Sequence, residues 1–206
     1  MSRPLIITDC DEVILHMVAP FKIWLEETQG VDFKLDGANF GEALRWQHSG
    51  RLLEAADIWR KLGDFFKTEM DRQHPIQGAV TAINELADYA DVVVLTNLVD
   101  ENREKRAEQL ASHGLIAPVY TNQGPKGPAL QKIIDEHQPS RALFIDDLAQ
   151  HHRSASETVP ETIRLHMCGE PMIANDIDCA FEIGHADARI DKWADALPWI
   201  KKRIEV

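Results

Sequence analysis

Apolar and polar positions along the chain fall into two alternating textures. Short apolar runs rich in β-branched residues recur at "LIIT" (5–8), "DVVVLT" (91–96), "APVYT" (117–121), "RALFID" (141–146) and "TIRLH" (162–166). They lack the strict alternation of a half-exposed strand, so they predict strands covered on both faces. Between most of them lie helical patterns. "GAVTAINELADYA" (78–90) puts Val80, Ile83, Leu86 and Ala87 on one face, "DENREKRAEQLASHG" (100–114) closes at Gly114, and "GPALQKIIDEHQP" (127–139) opens with Pro128 and stops before Pro139. Strand, helix, strand in succession predicts parallel pairing, hence an α/β fold built on an open, doubly wound parallel sheet.

One connection breaks this rhythm. Between Leu15 and Pro75 no good strand signal occurs, although a crossover needs only about a dozen residues. The segment "APFKIWLEETQG" (19–30) ends in glycine, and Leu52, Ala56, Trp59, Leu62, Phe66 and Met70 follow a 3.6-residue period. The pattern predicts a helical cap, 15–75, inserted into a core made of 1–14 and 76–206, with Trp24, Trp46 and Trp59 filling the cap's own small core. His74, Pro75 and Gly78 suit a hinge where the insertion returns. The final "DKWADALPWIKKRIEV" predicts an edge helix.

Composition narrows the function. The 206 residues are 44 % hydrophobic, enough for a sizeable core. A formal charge of -12 disfavours nucleic acid as a general partner, since phosphate backbones are held by clustered Lys and Arg. No apolar run approaches the roughly 20 residues of a membrane span, and the first residues lack signal-peptide character, so a cytoplasmic protein is expected. Cys10, Cys168 and Cys179 are odd in number without C-x-x-C spacing, which argues against a disulfide framework or a structural zinc site. Cys10 reads as a small buried residue.

Ligands of open parallel sheets bind outside the carboxyl ends of the strands. The polar residues at those ends are Asp9 and Asp11, Thr96 and Asn97, Lys126, and the pair Asp146 and Asp147. Four carboxylates at one edge repel one another unless a hard cation with oxygen ligands neutralises them, and Mg²⁺ is the natural candidate. A cation, a lysine and a hydroxyl around a carboxylate suit a dianion, and phosphoryl transfer through an aspartyl-phosphate uses these parts. His151 and His152 beside the acid pair read as ordinary solvated histidines rather than ligands.

Four stretches in order, "DCDEV", "VVLTN", "GPKGPAL" and "LFIDD", resemble the motifs of the haloacid dehalogenase-like hydrolases, most of which are Mg²⁺-dependent phosphatases. The resemblance covers the whole chain and includes a helical cap inserted after the first motif. It implies that Asp9 is the nucleophile and a metal ligand, and that Asp11 is the general acid and base, its backbone carbonyl facing the metal. Thr96 and Asn97 would hold phosphoryl oxygens, Lys126 would neutralise charge on nucleophile and phosphoryl group, and Asp146 and Asp147 would complete the metal site. The implied substrate is a small phosphorylated metabolite, with six cap cations, Lys22, Lys34, Arg45, Arg51, Arg60 and Lys61, available to hold a second anionic group. Glu12 stands where many members of the family have glycine, which would stiffen the loop and add negative charge beside the substrate. Three other readings stand beside this one: a noncatalytic or regulatory phosphate-binding protein on the same fold, a receiver-type module, and a haloacid dehalogenase. The motif order disfavours the receiver.

Overall fold

A computed structural model describes residues 2–34 and 40–204; part of the expected insertion, 35–39, lies outside the described residues. Six strands form one parallel sheet in the order β5-β4-β1-β6-β7-β8. They are β1 (Leu5–Thr8), β4 (Asp91–Thr96), β5 (Val119–Thr121), β6 (Ala142–Asp146), β7 (Ile163–His166) and the short β8 (Ala188–Arg189). Helices α3 (Ala79–Ala87), α4 (Arg103–Ser112), α5 (Gly127–His137) and α6 (Ala149–Thr158) lie between them, and α7 (Trp193–Ile204) follows β8.

Side chains of successive strand residues leave on opposite faces, and the core divides accordingly. Ile6, Val94, Leu143 and Ile145 belong to a cluster with Ile83 and Leu86 of α3, Leu110 of α4, and Trp193 and Ile200 of α7. Leu5, Ile7, Val93, Leu95 and Phe144 belong to another with Leu130 and Ile133 of α5 and Ala155 of α6. The sheet is therefore sandwiched, which is why its strands read as unbroken apolar runs. The chain builds outward from β1 through β4 to β5, then crosses to β6 on the other side of β1. That reversal opens a crevice at the carboxyl ends of the central strands.

The insertion holds more than helices. Besides α1 (Val18–Thr28) and α2 (Ala55–Thr68) it contains an antiparallel pair, β2 (Val31–Phe33) with β3 (Leu44–Trp46). Each of these strands is only three residues long, too short to register as a periodic run. Phe21, Trp24, Phe33, Leu44, Ile58 and Phe65 form its core, completed by Cys168 and Ile173 from beyond β7. The buried face of α2 differs from the one the sequence period predicts. Ile58, Lys61 and Phe65 point inward, whereas Trp59 is 72 % exposed. Both faces carry apolar residues, and the rings of Phe21 and Trp24, 5.4 and 5.8 Å from that of Phe65, select the first.

The two ends of the insertion run side by side. Leu15 and Pro75 form an antiparallel bridge, the His16 N–H donates to the His74 carbonyl at 2.9 Å, and the Ile76 N–H donates to the Ile14 carbonyl at 2.8 Å.

Candidate active site

β1 ends at Thr8, and the ladder's last bond is carried by the Asp9 N–H, which donates to the Ile145 carbonyl at 2.8 Å. That bond brings Asp9 beside the end of β6, where Asp146 and Asp147 emerge. A carboxylate oxygen from each of Asp9, Asp146 and Asp147 lies within 4.8 Å of the others, and all three residues are buried. The Lys126 ammonium enters between them, its Nζ 2.7 Å from Asp9 Oδ1 and 2.7 Å from Asp146 Oδ2. Lys126 is delivered by a close helix contact. It precedes Gly127, where an added Cβ would fall 2.4 Å from the Ser154 carbonyl oxygen of α6, so only glycine lets α5 start this near its neighbour.

Burial dominates the protonation of this group. It pushes Asp9 up to about 7, with Asp146 and Asp11 adding to the rise and Lys126 opposing it. Burial, then Asp146, Asp9 and Glu12, push Asp147 well above the usual carboxylate range. Asp146 goes the other way: against the penalty of its own burial, Lys126 and then the two nearby imidazoles hold it below. Three buried carboxylates with a single ammonium leave an excess of oxygen donors and negative charge, which fits a hard divalent cation.

The acid pair is braced from behind. His152 Nε2 donates to the Asp146 carbonyl at 2.9 Å and His166 Nε2 to the Asp147 carbonyl at 2.8 Å. His166 Nδ1 accepts the Ala180 N–H at 3.0 Å, which assigns the ring proton to Nε2. Neither His151 nor His152 is a solvated surface residue; both are buried on α6, and burial lowers both, His152 to about 4. The sequence around them is too polar to have marked α6 as a helix with an inward face.

Asp11 stands apart from the acidic cluster. Its carboxylate receives two bonds from Arg106 Nη2, at 3.0 and 3.2 Å, and one from Gln73 Nε2 at 2.7 Å, with the Thr96 hydroxyl 3.5 Å away. Arg106 is fully buried on α4, also contacts Cys10 Sγ at 3.3 Å, and lies 5.6 Å from the centre of the Phe66 ring. Sequence reasoning missed it. Its signal was available, since Arg106 and Gln109 share the inward stripe of Leu110, where an apolar residue is the rule. Cys10 is buried, as its size predicts. Asn97 turns outward from Thr96, with Nδ2 3.0 Å from the Gly124 carbonyl and 3.5 Å from His151 Nε2.

Glu12 has a role the sequence did not disclose. It is buried with φ 60°, and its Oε1 accepts the N–H groups of Met17 and Val18 at 3.0 and 2.5 Å, at the start of α1. Burial pushes its carboxyl up to about 8, so near neutral pH it adds little of the negative charge that its identity suggests. Of the six cap cations, Lys22 pairs with Glu26, Arg60 with Asp57, and Lys61 donates to Gln29 Oε1 at 2.6 Å. Arg45 reaches the Gly50 carbonyl at 3.3 Å.

No family model matches the sequence, and no curated protein does. Solved structures match across nearly the whole chain. A haloacid dehalogenase-like protein of unknown function from Agrobacterium tumefaciens aligns at TM-score 0.69 and 16 % identity, over 98 % of this chain and 99 % of that one. A haloacid dehalogenase-like family hydrolase from Streptococcus pneumoniae aligns at 0.67 and 15 %, over 95 % and 97 %. A HAD family hydrolase from Deinococcus radiodurans with bound phosphate and sodium aligns at 0.67 and 15 %, over 96 % and 95 %.

Proposed function

On a haloacid dehalogenase-like fold with this constellation at its carboxyl edge, we propose that the protein is a Mg²⁺-dependent phosphomonoesterase acting on a small phosphorylated metabolite through an aspartyl-phosphate at Asp9. The observation that carries the reading is the convergence of Asp9, Asp146 and Asp147 around Lys126 at the ends of β1 and β6. Phosphate bound by a protein of the same fold supports it.

Lys126 and the Cys10 N–H, 2.7 Å away, both engage Asp9 Oδ1, which orients the carboxylate and leaves Oδ2 for attack on phosphorus. The phosphorus–oxygen bond to the leaving group then breaks, and Asp11 gives that oxygen a proton. In the second step Asp11 takes a proton from the water that attacks the acyl-phosphate, and orthophosphate departs. Arg106 and Gln73 hold Asp11 in place for both transfers, while Thr96 offers a hydroxyl to the phosphoryl oxygens; the side-chain amide of Asn97 is committed to the Gly124 carbonyl instead. Asp9, Asp146 and Asp147, with the Asp11 carbonyl, would hold Mg²⁺, which supplies charge neutralisation for a dianion among carboxylates. The segment 15–75 is the cap in this reading, with the bridged segments at Leu15 and Pro75 as its hinge, and core residues 1–14 and 76–206 carry the chemistry. Three free cysteines suit a cytoplasmic setting, and no described helix is long and apolar enough to cross a membrane.

The test is phosphate release from an aryl phosphate with Mg²⁺. Chelation should abolish it, and Asp9→Asn should remove it while leaving the fold intact, since an amide of nearly the same size cannot form the acyl-phosphate. Near-normal turnover by Asp9→Asn would place the nucleophile elsewhere.

A further inference from the structure

A cleft of about 460 Å³ lies between α2, the loops that follow β4 and β5, and the first turn of α6. One of its walls is a single stripe of α2, Trp59, Leu62, Gly63 and Phe66, at the i, i+3, i+4, i+7 spacing of one helix face. Leu62 and Phe66 of this stripe are half-buried against the edge of the insertion's core, whereas Trp59 and Gly63 are exposed. The opposite wall includes Asn97, next in the chain to Thr96, with Leu98, Val99, Asn122, Pro125 and His151. The cleft thus lies at the same carboxyl edge of the sheet as the candidate site, although neither the carboxylates nor Lys126 line it.

Its chemistry is specific in two respects. First, no lysine or arginine is among its described lining residues. A second phosphate or a carboxylate placed there would lose its hydration without gaining a counter-charge, which disfavours doubly anionic substrates. Two of its amides satisfy each other: Asn122 Nδ2 donates to Asn97 Oδ1 at 2.9 Å and to the Gly124 carbonyl at 3.0 Å. Second, Gly63 sits inside α2, where glycine is less favourable than alanine, and a Cβ built there meets nothing within 4 Å. No neighbour in the protein requires the missing side chain. Its absence leaves the backbone of α2 uncovered one turn from the exposed Trp59 indole, with room for a ligand group against it.

We propose that this cleft receives the leaving group of the phosphomonoester, and that this group is uncharged and carries a planar ring, as a nucleoside does. Trp59 and Phe66 contact the ring and Gly63 makes room for it. The assignment rests on the phosphatase reading for the reaction, but occupancy of the ring site is measurable without it.

Three substrates that each lose a primary alkoxide separate the possibilities: adenosine 5′-monophosphate, glycerol 3-phosphate and 2-phosphoglycolate. Stacking on aromatic side chains is expected to favour the nucleotide roughly tenfold or more in kcat/KM over both others. Gly63→Leu should shrink the nucleotide-to-glycerol-phosphate ratio about tenfold, chiefly through KM, because leucine fills the slot while remaining a good helix former. Equal or better efficiency with phosphoglycolate, or an unchanged ratio in Gly63→Leu, overturns the proposal. Adenosine alone, titrated against tryptophan fluorescence, gives the second readout. Saturable quenching that is lost in both Trp59→Phe and Gly63→Leu supports the ring site; no quenching overturns it. If no phosphomonoester is hydrolysed, the phosphatase reading fails and this titration still decides the cleft.

Discussion

Replacing Arg106 with methionine removes the cation that holds Asp11 while keeping much of the side chain's volume. The pair is separated by 3.0 Å, with Arg106 inaccessible and the Asp11 side chain 16 % exposed. At that distance Coulomb attraction is roughly 5 kcal/mol at an effective dielectric of about 20. Loss of one partner of such a buried pair costs about 3–5 kcal/mol, because the other charge stays behind uncompensated. For a chain of this size about 2–4 °C of melting temperature accompanies each kcal/mol, so Arg106→Met is expected to melt roughly 6–20 °C lower. Urea unfolding of Arg106→Met, Asp11→Asn and the double variant closes a cycle, and the double variant should be more stable than the sum of the single losses, by about 2 kcal/mol or more. An Arg106→Met loss below about 1 kcal/mol, or strict additivity, would refute the view that this ion pair holds the site together. Turnover should fall up to about 10²-fold in Arg106→Met, the penalty for misplacing a proton-transfer group by an ångström.

Asp11→Asn should slow turnover by roughly 10²–10⁴, the usual worth of a general acid–base, without the complete loss expected of Asp9→Asn; equal residual rates would show that the two carboxylates are not divided by role. His152 titrates near 4 when folded against 6.5 when free, so the unfolded chain binds more protons across that window and stability drops as pH falls through it, by roughly 3 kcal/mol in total. His152→Gln keeps a donor for the Asp146 carbonyl and should flatten this part of the pH–stability curve; an unchanged slope between pH 4 and 6.5 assigns it to other groups. Glu12 acts in the opposite sense, its folded value near 8 lying above the free value of 4.5, so its contribution is full below 4.5 and is lost as pH rises through 8. Glu12→Gln retains the acceptor for Met17 and Val18 but cannot ionise, and should unfold at higher urea than the parent at pH 9; parallel pH curves would rule this out.

The sheet was legible because its strands are buried on both faces. "LIIT" and "DVVVLT" coincide with β1 and β4, and the other three apolar runs each contain a strand. The acid pair and Lys126 were legible for the same reason, each following such a run or opening the next helix. What failed to show were features decided by tertiary contact. β8 is two residues long, α6 buries histidines instead of leucines, and α2 has two apolar faces between which only Phe21 and Trp24 could choose. Glu12 and Arg106 escaped because each is a charged residue taken inside, a choice that depends on partners far away in sequence.

Of the six strands in the sheet, β1 comes first in chain order, and both halves of the sheet are built against it. β1 pairs with β4 on one edge and β6 on the other, so during translation Leu5–Thr8 leaves the ribosome with neither neighbour yet made. The insertion follows and also cannot finish, because Cys168 and Ile173 close its core. Even the carbonyl of Val13 accepts its bond from the Trp193 indole, at 2.8 Å, 180 residues further along. Pairing on both edges of β1 thus waits for β6, and a nascent chain that has β5 but not yet β6 presents the β6 side of β1 as an open apolar edge, the kind that invites wrong pairing.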